Sequence, residues 1–328
     1  MAEFQIPRLA SGGLITTYAC PSRCGHCLYN SGPHRAKRFM DRATAKQAAR
    51  TIVEQGCSSL HIGGGEPLLD PDNLLMVIAA CAGAGLFIDY VETNCSWYRD
   101  PGQAEALLAR LQDAGLSTLL VSISPMHNEH IPLSRTKGVM EACRGTGMRI
   151  FPWVKEFLPD LEALRPDVKH GFKEYQSLFG TDYVARIPSR YWIHLGGRAL
   201  ELFRPYLPLH NAKDIAQDTP PCREPLDTSH FHVDLDGNYI PGLCVGLAVE
   251  TGDLGKPIDQ DKYPVLAMLL EHGVGELLSV ARRKHGFEPR SSGYLSKCDL
   301  CTHIRAFLVG TVGKTSRDLC PTGFYSQY

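Results

Sequence analysis

Residues 18–27 read Tyr-Ala-Cys-Pro-Ser-Arg-Cys-Gly-His-Cys, and they place three thiols, Cys20, Cys24 and Cys27, in one short loop. The Cys-x3-Cys-x2-Cys spacing lets the loop wrap three thiolates around a single metal centre. Structural zinc sites and electron-transfer clusters normally close with four protein ligands. Three ligands therefore predict a metal centre with one open coordination position, which is typical of a catalytic site.

The bulk composition is that of an ordinary globular protein. Of 328 residues, 44% are hydrophobic and 21% are charged, which allows one large domain or two. The formal net charge of −1 predicts no general attraction to nucleic acid or to anionic membranes. The N-terminus lacks a signal-peptide core, and the longest nearly apolar segment, 74–87, is shorter than the roughly 20 residues of a membrane span. We therefore expect a cytoplasmic protein with no nucleic-acid or membrane partner.

Twelve cysteines in such a chain indicate metal binding rather than disulfides. Two of the isolated ones, Cys81 and Cys143, fall in apolar helical patterns and are expected to be small buried side chains.

From residue 13 to about 200, short apolar segments alternate with longer amphipathic ones. This alternation predicts an α/β domain with a parallel sheet and right-handed crossovers. In such sheets ligands bind at the carboxyl ends of the strands. The loops that hold the cysteine cluster, a glycine-rich motif and several polar residues all fall at those ends. The predicted strands are 13–18, 59–62, 86–93, 118–124, 149–154 and 191–195.

The composition changes near residue 205, where prolines become frequent and periodicity is lost. Residues 231–240 are predicted to form a hairpin with Asp-Gly in its turn. Two separated cysteines and a Cys-x2-Cys pair in this region suit either zinc or an iron–sulfur cluster. We predict an N-terminal extension over 1–12, an α/β domain over 13–215 and a cysteine-rich α+β domain over 216–328. The cysteines of this last domain are Cys222, Cys244, Cys298, Cys301 and Cys320.

The cysteine loop after the first strand and Gly63-Gly64-Gly65-Glu66-Pro67 after the second together resemble the radical S-adenosylmethionine (radical SAM) superfamily. The resemblance covers residues 13 to about 200 and implies a partial (β/α)6 TIM-like barrel. It implies that Cys20, Cys24 and Cys27 hold three irons of a [4Fe-4S] cluster, whose fourth iron binds the amine and carboxylate of SAM. Reductive cleavage of SAM would then give a 5′-deoxyadenosyl radical that abstracts hydrogen from a substrate carbon, with a flavodoxin- or ferredoxin-type protein as reductant.

The same resemblance assigns cofactor contacts to four residues of the glycine-rich motif. Gly64, Gly65, Glu66 and Pro67 correspond to the element that contacts the SAM amino group through backbone and carboxylate. His26 stands where the family usually has an aromatic residue near adenine. The imidazole can stack in the same way, but a histidine titrates near neutral pH, which puts adenine packing in doubt.

Other polar residues at the strand ends are weaker candidates. Asn94 matches a polar residue that often ends the third strand. Ser122 and Ser124 lie on one strand face, where they would contact SAM or form hydrogen bonds in the core. Arg198 would pair with the SAM carboxylate or with a carboxylate on the helix surface.

Cys95 and His127 are the candidate catalytic residues, because both fall in loops at the carboxyl ends of strands. A thiol beside a substrate radical can donate a hydrogen atom, as an epimerase requires. The alternative for Cys95 is a packed core residue.

The cysteine-rich region resembles the auxiliary-cluster modules called Twitch and SPASM. This implies a second [4Fe-4S] cluster held by Cys222, Cys244, Cys298 and Cys301, with zinc as the alternative. Cys320 would substitute for one of these ligands or remain free. The full SPASM pattern has a further cysteine where this chain has Phe307, which puts a third cluster in doubt.

The substrate class stays open between a small molecule and a peptide, as does the reaction: oxidation, epimerisation, C–X bond formation or methyl transfer. Only 19 residues precede Cys20, which predicts no fused N-terminal leader-binding domain and favours a small molecule, or a peptide delivered by a separate protein. The opposing class is a non-enzymatic iron–sulfur or zinc protein for electron transfer or regulation.

Overall fold

The computed structural model describes residues 4–190, 192–313 and 316–328, and one eight-stranded sheet runs through its centre. The first six strands in sequence order pair with one another in parallel, and the last two join the sixth in antiparallel pairing. The sheet is open, so the predicted α/β partial barrel is confirmed. In sequence order the strands are β1 (Gly12–Thr17), β2 (Ser59–Gly64), β3 (Phe87–Thr93), β4 (Thr118–Ser122), β5 (Arg149–Trp153), β6 (Phe231–Asp234), β7 (Asn238–Ile240) and β8 (Val249–Glu250), and across the sheet the order is β5-β4-β3-β2-β1-β6-β7-β8.

Helices connect the parallel strands, and aspartate side chains cap the first three of them. Asp41, Asp70 and Asp100 each accept a hydrogen bond from a backbone N–H in the first turn of the helix that follows. The helices are α1 (Arg42–Glu54), α2 (Pro71–Ala82), α3 (Pro101–Asp113), α4 (Pro125–Asn128), α5 (Leu133–Thr146), α6 (Leu158–Glu162), α7 (Phe172–Phe179), α8 (Tyr183–Arg190), α9 (Ala199–Phe203), α10 (Ala212–Asp218), α11 (Pro264–His285) and α12 (Lys297–Gly310).

The sixth parallel strand is not where the sequence pattern placed it. Residues 192–195 of the predicted strand 191–195 form no strand, and Tyr191 lies outside the described residues. The position next to β1 is instead taken by β6, whose Phe231 pairs with Gly12. The predicted hairpin is confirmed, since β6 and β7 pair antiparallel around Gly237. The sheet therefore continues across residue 215, the domain boundary proposed from composition.

α11 bends at Gly273, whose φ of 76° is non-helical. Among the described residues it is the one helix long and apolar enough to span a membrane by length and composition. More than half of its most apolar window is buried inside the protein, as in the core helix of a globular domain.

Candidate active site at the carboxyl ends of the strands

A cavity of about 390 Å³ opens where the parallel strands end. Cys20, Cys24 and Cys27 all line it, together with the backbone of Gly64 and Gly65. The predicted convergence of the first two strand-end loops is therefore observed. Further lining residues come from β3, β4, β5 and the segment around β6: Tyr90, Glu92, Asn94, Ser122, Phe151, Trp153, His230 and His232.

The three thiols share one electrostatic environment. Burial raises the pKa of Cys20 to about 12, and the negative charge of Glu66 adds to this. Burial also raises the pKa of Cys24 well above its usual range, with the charges of Cys27 and Cys20 as the next causes. The negative charge of Cys27 contributes to the raised pKa of both Cys20 and Cys24. A cationic metal centre in this space would stabilise the thiolates instead. The donor set therefore fits the iron–sulfur cluster implied by the sequence.

Cys20 also receives hydrogen bonds at its sulfur. The Asn94 side-chain amide donates to Sγ at 3.3 Å, and the backbone N–H of Ser22 donates at 3.4 Å. Hydrogen bonds to ligating sulfurs are one determinant of cluster potential. Asn94, predicted as a cofactor contact, thus lines the cavity and contacts Cys20, a predicted cluster ligand.

Arg198 braces the cysteine loop. Its guanidinium donates to the backbone carbonyl of Cys24 at 2.9 Å, to the Asn30 side-chain carbonyl at 3.0 Å and to the backbone carbonyl of Ser31 at 2.8 Å. Its own backbone N–H donates to the carbonyl of Cys27 at 3.0 Å. The side chain borders the cavity, but these bonds already direct the guanidinium at protein acceptors.

The glycines of the second loop are needed because that loop lies directly on the cysteine loop. A Cβ at Gly65 would lie 2.0 Å from the carbonyl oxygen of Ala19, and one at Gly64 would lie 2.6 Å from that of Thr17. Gly64 also has a φ of 123°, a backbone conformation that residues other than glycine rarely adopt. The close approach lets Gly65 N–H bond to the Thr17 carbonyl at 2.7 Å.

Glu66 points away from the cavity, contrary to the expectation that its carboxylate contacts SAM. It is completely buried and accepts hydrogen bonds from the backbone N–H of Leu68 and Asn94 and from the Thr93 hydroxyl. Burial raises the pKa of Glu66 to about 7, against the lowering effect of these bonds. Its carboxylate therefore ties the end of β2 to the end of β3. Pro67 begins a 3-10 helix and is also buried away from the cavity.

His26 and His127 meet at the cavity wall, with ring centroids 4.9 Å apart in an edge-to-face arrangement. Burial and the Arg198 charge lower the pKa of His26 to about 4, so the ring is neutral at physiological pH. Nδ1 of His26 is buried and has no protein hydrogen-bond partner. An orphaned ring nitrogen beside the thiols fits a bound polar group such as an adenine.

Two of the predicted residues are directed into the protein rather than to the cavity. Ser124 caps α4 and bonds to the His127 ring at 2.7 Å, whereas Ser122 lines the cavity. Cys95 is completely buried in the core, where its φ of 64° turns the chain after β3. Its thiol is near Thr136 and Cys143, so the core-residue alternative describes its position better than a hydrogen donor does.

A second cavity of about 660 Å³ contains four thiols of the cysteine-rich region. Cys298 and Cys301 come from the first turns of α12, and Cys222 and Cys244 flank the hairpin. The buried Arg305 lies beside them, and its Nε has no partner. The resulting set of four thiols and a cation fits an anionic metal–thiolate centre. It comprises Cys222, Cys244, Cys298, Cys301 and Arg305.

Cys320 does not join these thiols. The groups that act on its pKa, after burial, are carboxylates such as Asp234 and Asp318 and the Arg317 cation, not other cysteines. The prediction that Cys320 is a metal ligand is therefore not supported by its position.

The two cavities are adjacent and share part of their walls. The shared residues are Leu28, Trp153, Trp192, His194, His230 and Leu243.

Sequence reasoning missed a histidine cluster at the wall of the first cavity. His230, His232 and Glu92 line the cavity, and His61 lies against them. The spacing of His230, just before β6, and His232, within it, was a readable signal, because residues two apart in an extended segment face the same side. Their meeting with His61 depends on strand order, which local pattern does not reveal.

Comparison with known proteins identifies the N-terminal part of the chain. A family model described as "Radical SAM superfamily" matches residues 14–147. The chain is 26% identical over 151 residues to a PqqA peptide cyclase of Xanthomonas campestris pv. campestris, covering 44% of this chain and 38% of the relative. It is 30% identical over 115 residues to a GTP 3′,8-cyclase of Haemophilus ducreyi, covering 34% and 32%.

Among solved structures, one of anSMEcpe with bound AdoMet aligns with 93% of this chain and 98% of its own, at 12% identity and a TM-score of 0.44. The sequence matches span well under half the length of these curated relatives.

Proposed function

The chain carries a radical SAM domain and is an enzyme of that superfamily, and from that premise we propose that it abstracts a hydrogen atom from a carbon of a peptide substrate. The observation that supports this most is the single cavity that joins the three thiols of the cysteine loop, the backbone of the glycine loop and an aromatic wall. Such a cavity holds a cofactor and a substrate carbon side by side.

Each part of the cavity has a proposed task. Cys20, Cys24 and Cys27 hold the cluster, and the backbone of Gly64 and Gly65 admits the methionyl part of SAM. When bound, SAM and the reduced cluster supply a carbon radical that abstracts hydrogen. The neutral His26 and the Ser122 hydroxyl offer hydrogen bonds, and Arg198 keeps the cysteine loop in place. A flavodoxin- or ferredoxin-type reductant in the cytoplasm supplies the electron.

We propose that the second cavity holds an auxiliary [4Fe-4S] cluster. Four thiols line this cavity together, and four thiolates are the ligand set of a [4Fe-4S] cluster. The buried cation of Arg305 and the nearby Lys297 would balance the charge of a four-thiolate cluster.

An aromatic wall supports a peptide as substrate. Phe151, Trp153 and Trp192 are each more than a third exposed and border the first cavity, with Tyr90 beside Phe151. Exposed aromatic rings bind extended side chains at little cost in conformational entropy. The similarity to a PqqA peptide cyclase supports the same class.

A small molecule is the second candidate. The first cavity, at about 390 Å³, is of the size that small-molecule sites have, and part of the chain is also similar to a GTP 3′,8-cyclase.

The test is anaerobic incubation of the reconstituted protein with dithionite and SAM, with and without candidate substrates. We expect 5′-deoxyadenosine from the wild type and from Cys57→Ala, whose sulfur lies outside both cavities, and none from Cys24→Ala. The absence of 5′-deoxyadenosine from the wild type under every condition would refute the proposal. Mass spectrometry of the product then separates oxidation or C–X bond formation, epimerisation and methyl transfer, because these respectively remove two hydrogens, leave the mass unchanged and add a methyl group.

Iron analysis tests the auxiliary cluster separately. We expect about eight irons per chain in the wild type and in Cys320→Ala, and about four when Cys298 and Cys301 are both replaced by alanine. A wild type with about four irons and one zinc in thiolate coordination would replace the auxiliary cluster with a zinc site.

A further inference from the structure

Three histidines converge at the wall of the first cavity, and the sheet explains how. Gly13 on β1 pairs with His61 on β2 and, on its other side, with His232 on β6. A Cβ at Gly13 would lie 2.4 Å from Nε2 of His61. The missing side chain on the middle strand thus lets two rings from non-adjacent strands meet above it.

The convergence is tight. Nε2 of His61 lies 3.1 Å from Nε2 of His232. The His230 ring stacks on His61 at 5.6 Å and meets the edge of His232 at 4.9 Å between centroids. One ring nitrogen from each histidine lies within 4.8 Å of the others. Around a tetrahedral zinc with bonds of about 2.0–2.1 Å, ligand nitrogens are roughly 3.3 Å apart. The His61–His232 pair therefore already matches this spacing, and a nitrogen of His230 lies within 4.8 Å of both.

The surroundings are those of a metal site rather than of a packed core. Glu92 places Oε1 3.6 Å from Nε2 of His61, which puts a carboxylate beside the three nitrogens. The Tyr29 hydroxyl lies 3.0 Å from Nε2 of His232. His61 also hydrogen-bonds to the backbone of Gly12, the kind of outer contact that orients metal-binding imidazoles. His61 and His232 are buried, whereas His230 is exposed and borders both cavities.

From this arrangement we propose that His61, His230 and His232 bind one zinc ion, with a fourth position that opens to the first cavity beside Glu92. Three imidazoles with an open position are a ligand set that zinc accepts. An ion there would take water or an oxygen or nitrogen donor of the molecule that occupies the cavity. The site uses none of the cysteines, so it stands independently of the radical chemistry proposed above.

The alternative is a stack of neutral histidines joined by hydrogen bonds from Tyr29 through His232 to His61. This stack of neutral histidines needs no cation, so a measurement of zinc binding distinguishes it from a zinc site. His230 is the residue to replace, because it is exposed and its loss does not open the core. His272, an exposed histidine on α11, provides the matched control.

The experiment uses the anaerobically purified protein with its clusters, equilibrated with Zn²⁺ and passed through a weak chelator. We expect about one zinc per chain, with a nitrogen and oxygen shell at about 2.0–2.1 Å in zinc K-edge X-ray absorption. His230→Ala should reduce zinc to background while iron content stays that of the wild type, and His272→Ala should change neither. Gly13→Ala should also lose zinc, because the added methyl displaces the His61 ring.

Three results would overturn the proposal. One is a wild type that retains no zinc. Another is a His230→Ala protein that retains as much zinc as the wild type. The third is a sulfur shell at about 2.3 Å, which would place the zinc among the cysteines.

Discussion

Replacement of Arg198 by lysine separates two roles for this side chain. If Arg198 pairs with the SAM carboxylate, lysine keeps the charge and preserves function. If it braces the cysteine loop, lysine fails, because an ammonium cannot reach the carbonyls of Cys24 and Ser31 and the Asn30 amide in the fork geometry of a guanidinium. The structure favours the brace.

The magnitude follows from the hydrogen bonds. Lysine can keep about one of the three, and each lost bond to a charged donor is worth about 1.5–3 kcal/mol. Because the side chain borders a cavity that admits water, we use the lower end and expect a loss of about 3 kcal/mol in the free energy of unfolding.

Anaerobic urea denaturation measures the stability, and iron analysis measures occupancy of the first site. We expect Arg198→Lys to unfold at lower urea and to lose about four irons per chain, with the second cavity unaffected. Arg38→Lys is the control, since Arg38 is exposed and its pair with Asp236 lies at the surface. An Arg198→Lys protein with wild-type stability and iron would refute the brace. Weak SAM binding in Arg198→Ala, restored by lysine, would support the carboxylate pairing instead.

Three further changes test the site. Asn94→Ala removes the N–H···S bond to Cys20, and we expect a more negative midpoint potential in an EPR redox titration; an unchanged potential would contradict this role. Cys95→Ala should keep full turnover, because the thiol is buried in the core. A tenfold loss of turnover with normal iron content would instead support Cys95 as a hydrogen donor. Burial raises the pKa of Glu66 from its ordinary 4.5 to about 7, so the folded state holds a proton that the unfolded state releases. Stability should therefore fall by on the order of 3 kcal/mol as pH rises from 4.5 to about 7. Glu66→Gln should make this slope shallower, and the part that remains belongs to Glu92, whose pKa burial also raises to about 7. Parallel pH profiles for both proteins would show that Glu66 is not its source.

The sequence was sufficient to predict the features that depend on local pattern and strand order along the chain. Cys20, Cys24 and Cys27 face Gly64 and Gly65 because consecutive parallel strands place their following loops at the same edge. The four-thiol cavity was also anticipated, since the hairpin and the Cys-x2-Cys pair were recognisable from spacing.

The sixth strand was missed because strand pairing over long sequence separations leaves no local signal. Residues 191–195 and 231–234 are both short apolar segments, and local propensity does not say which of them pairs with β1. The directions of individual side chains could not be predicted for a similar reason, because local pattern does not show which buried groups surround them. Glu66 and Arg198 were assigned to a cofactor by motif position, whereas buried donors and acceptors around them claim both side chains.

The addition of β6 to the sheet changes what the cysteine-rich region does. Because β6 pairs with β1, it brings His232 to the Tyr29 hydroxyl and the Asp234 carboxylate to the Tyr18 hydroxyl, 3.0 Å away, on either side of the cysteine loop. A region that merely carried a second metal centre would not need to contact the residues flanking the first. The cysteine-rich region instead completes the wall of the first cavity, and part of that wall also borders the second cavity. Changes in the hairpin should therefore affect the occupant of the first cavity as directly as changes in the N-terminal strands.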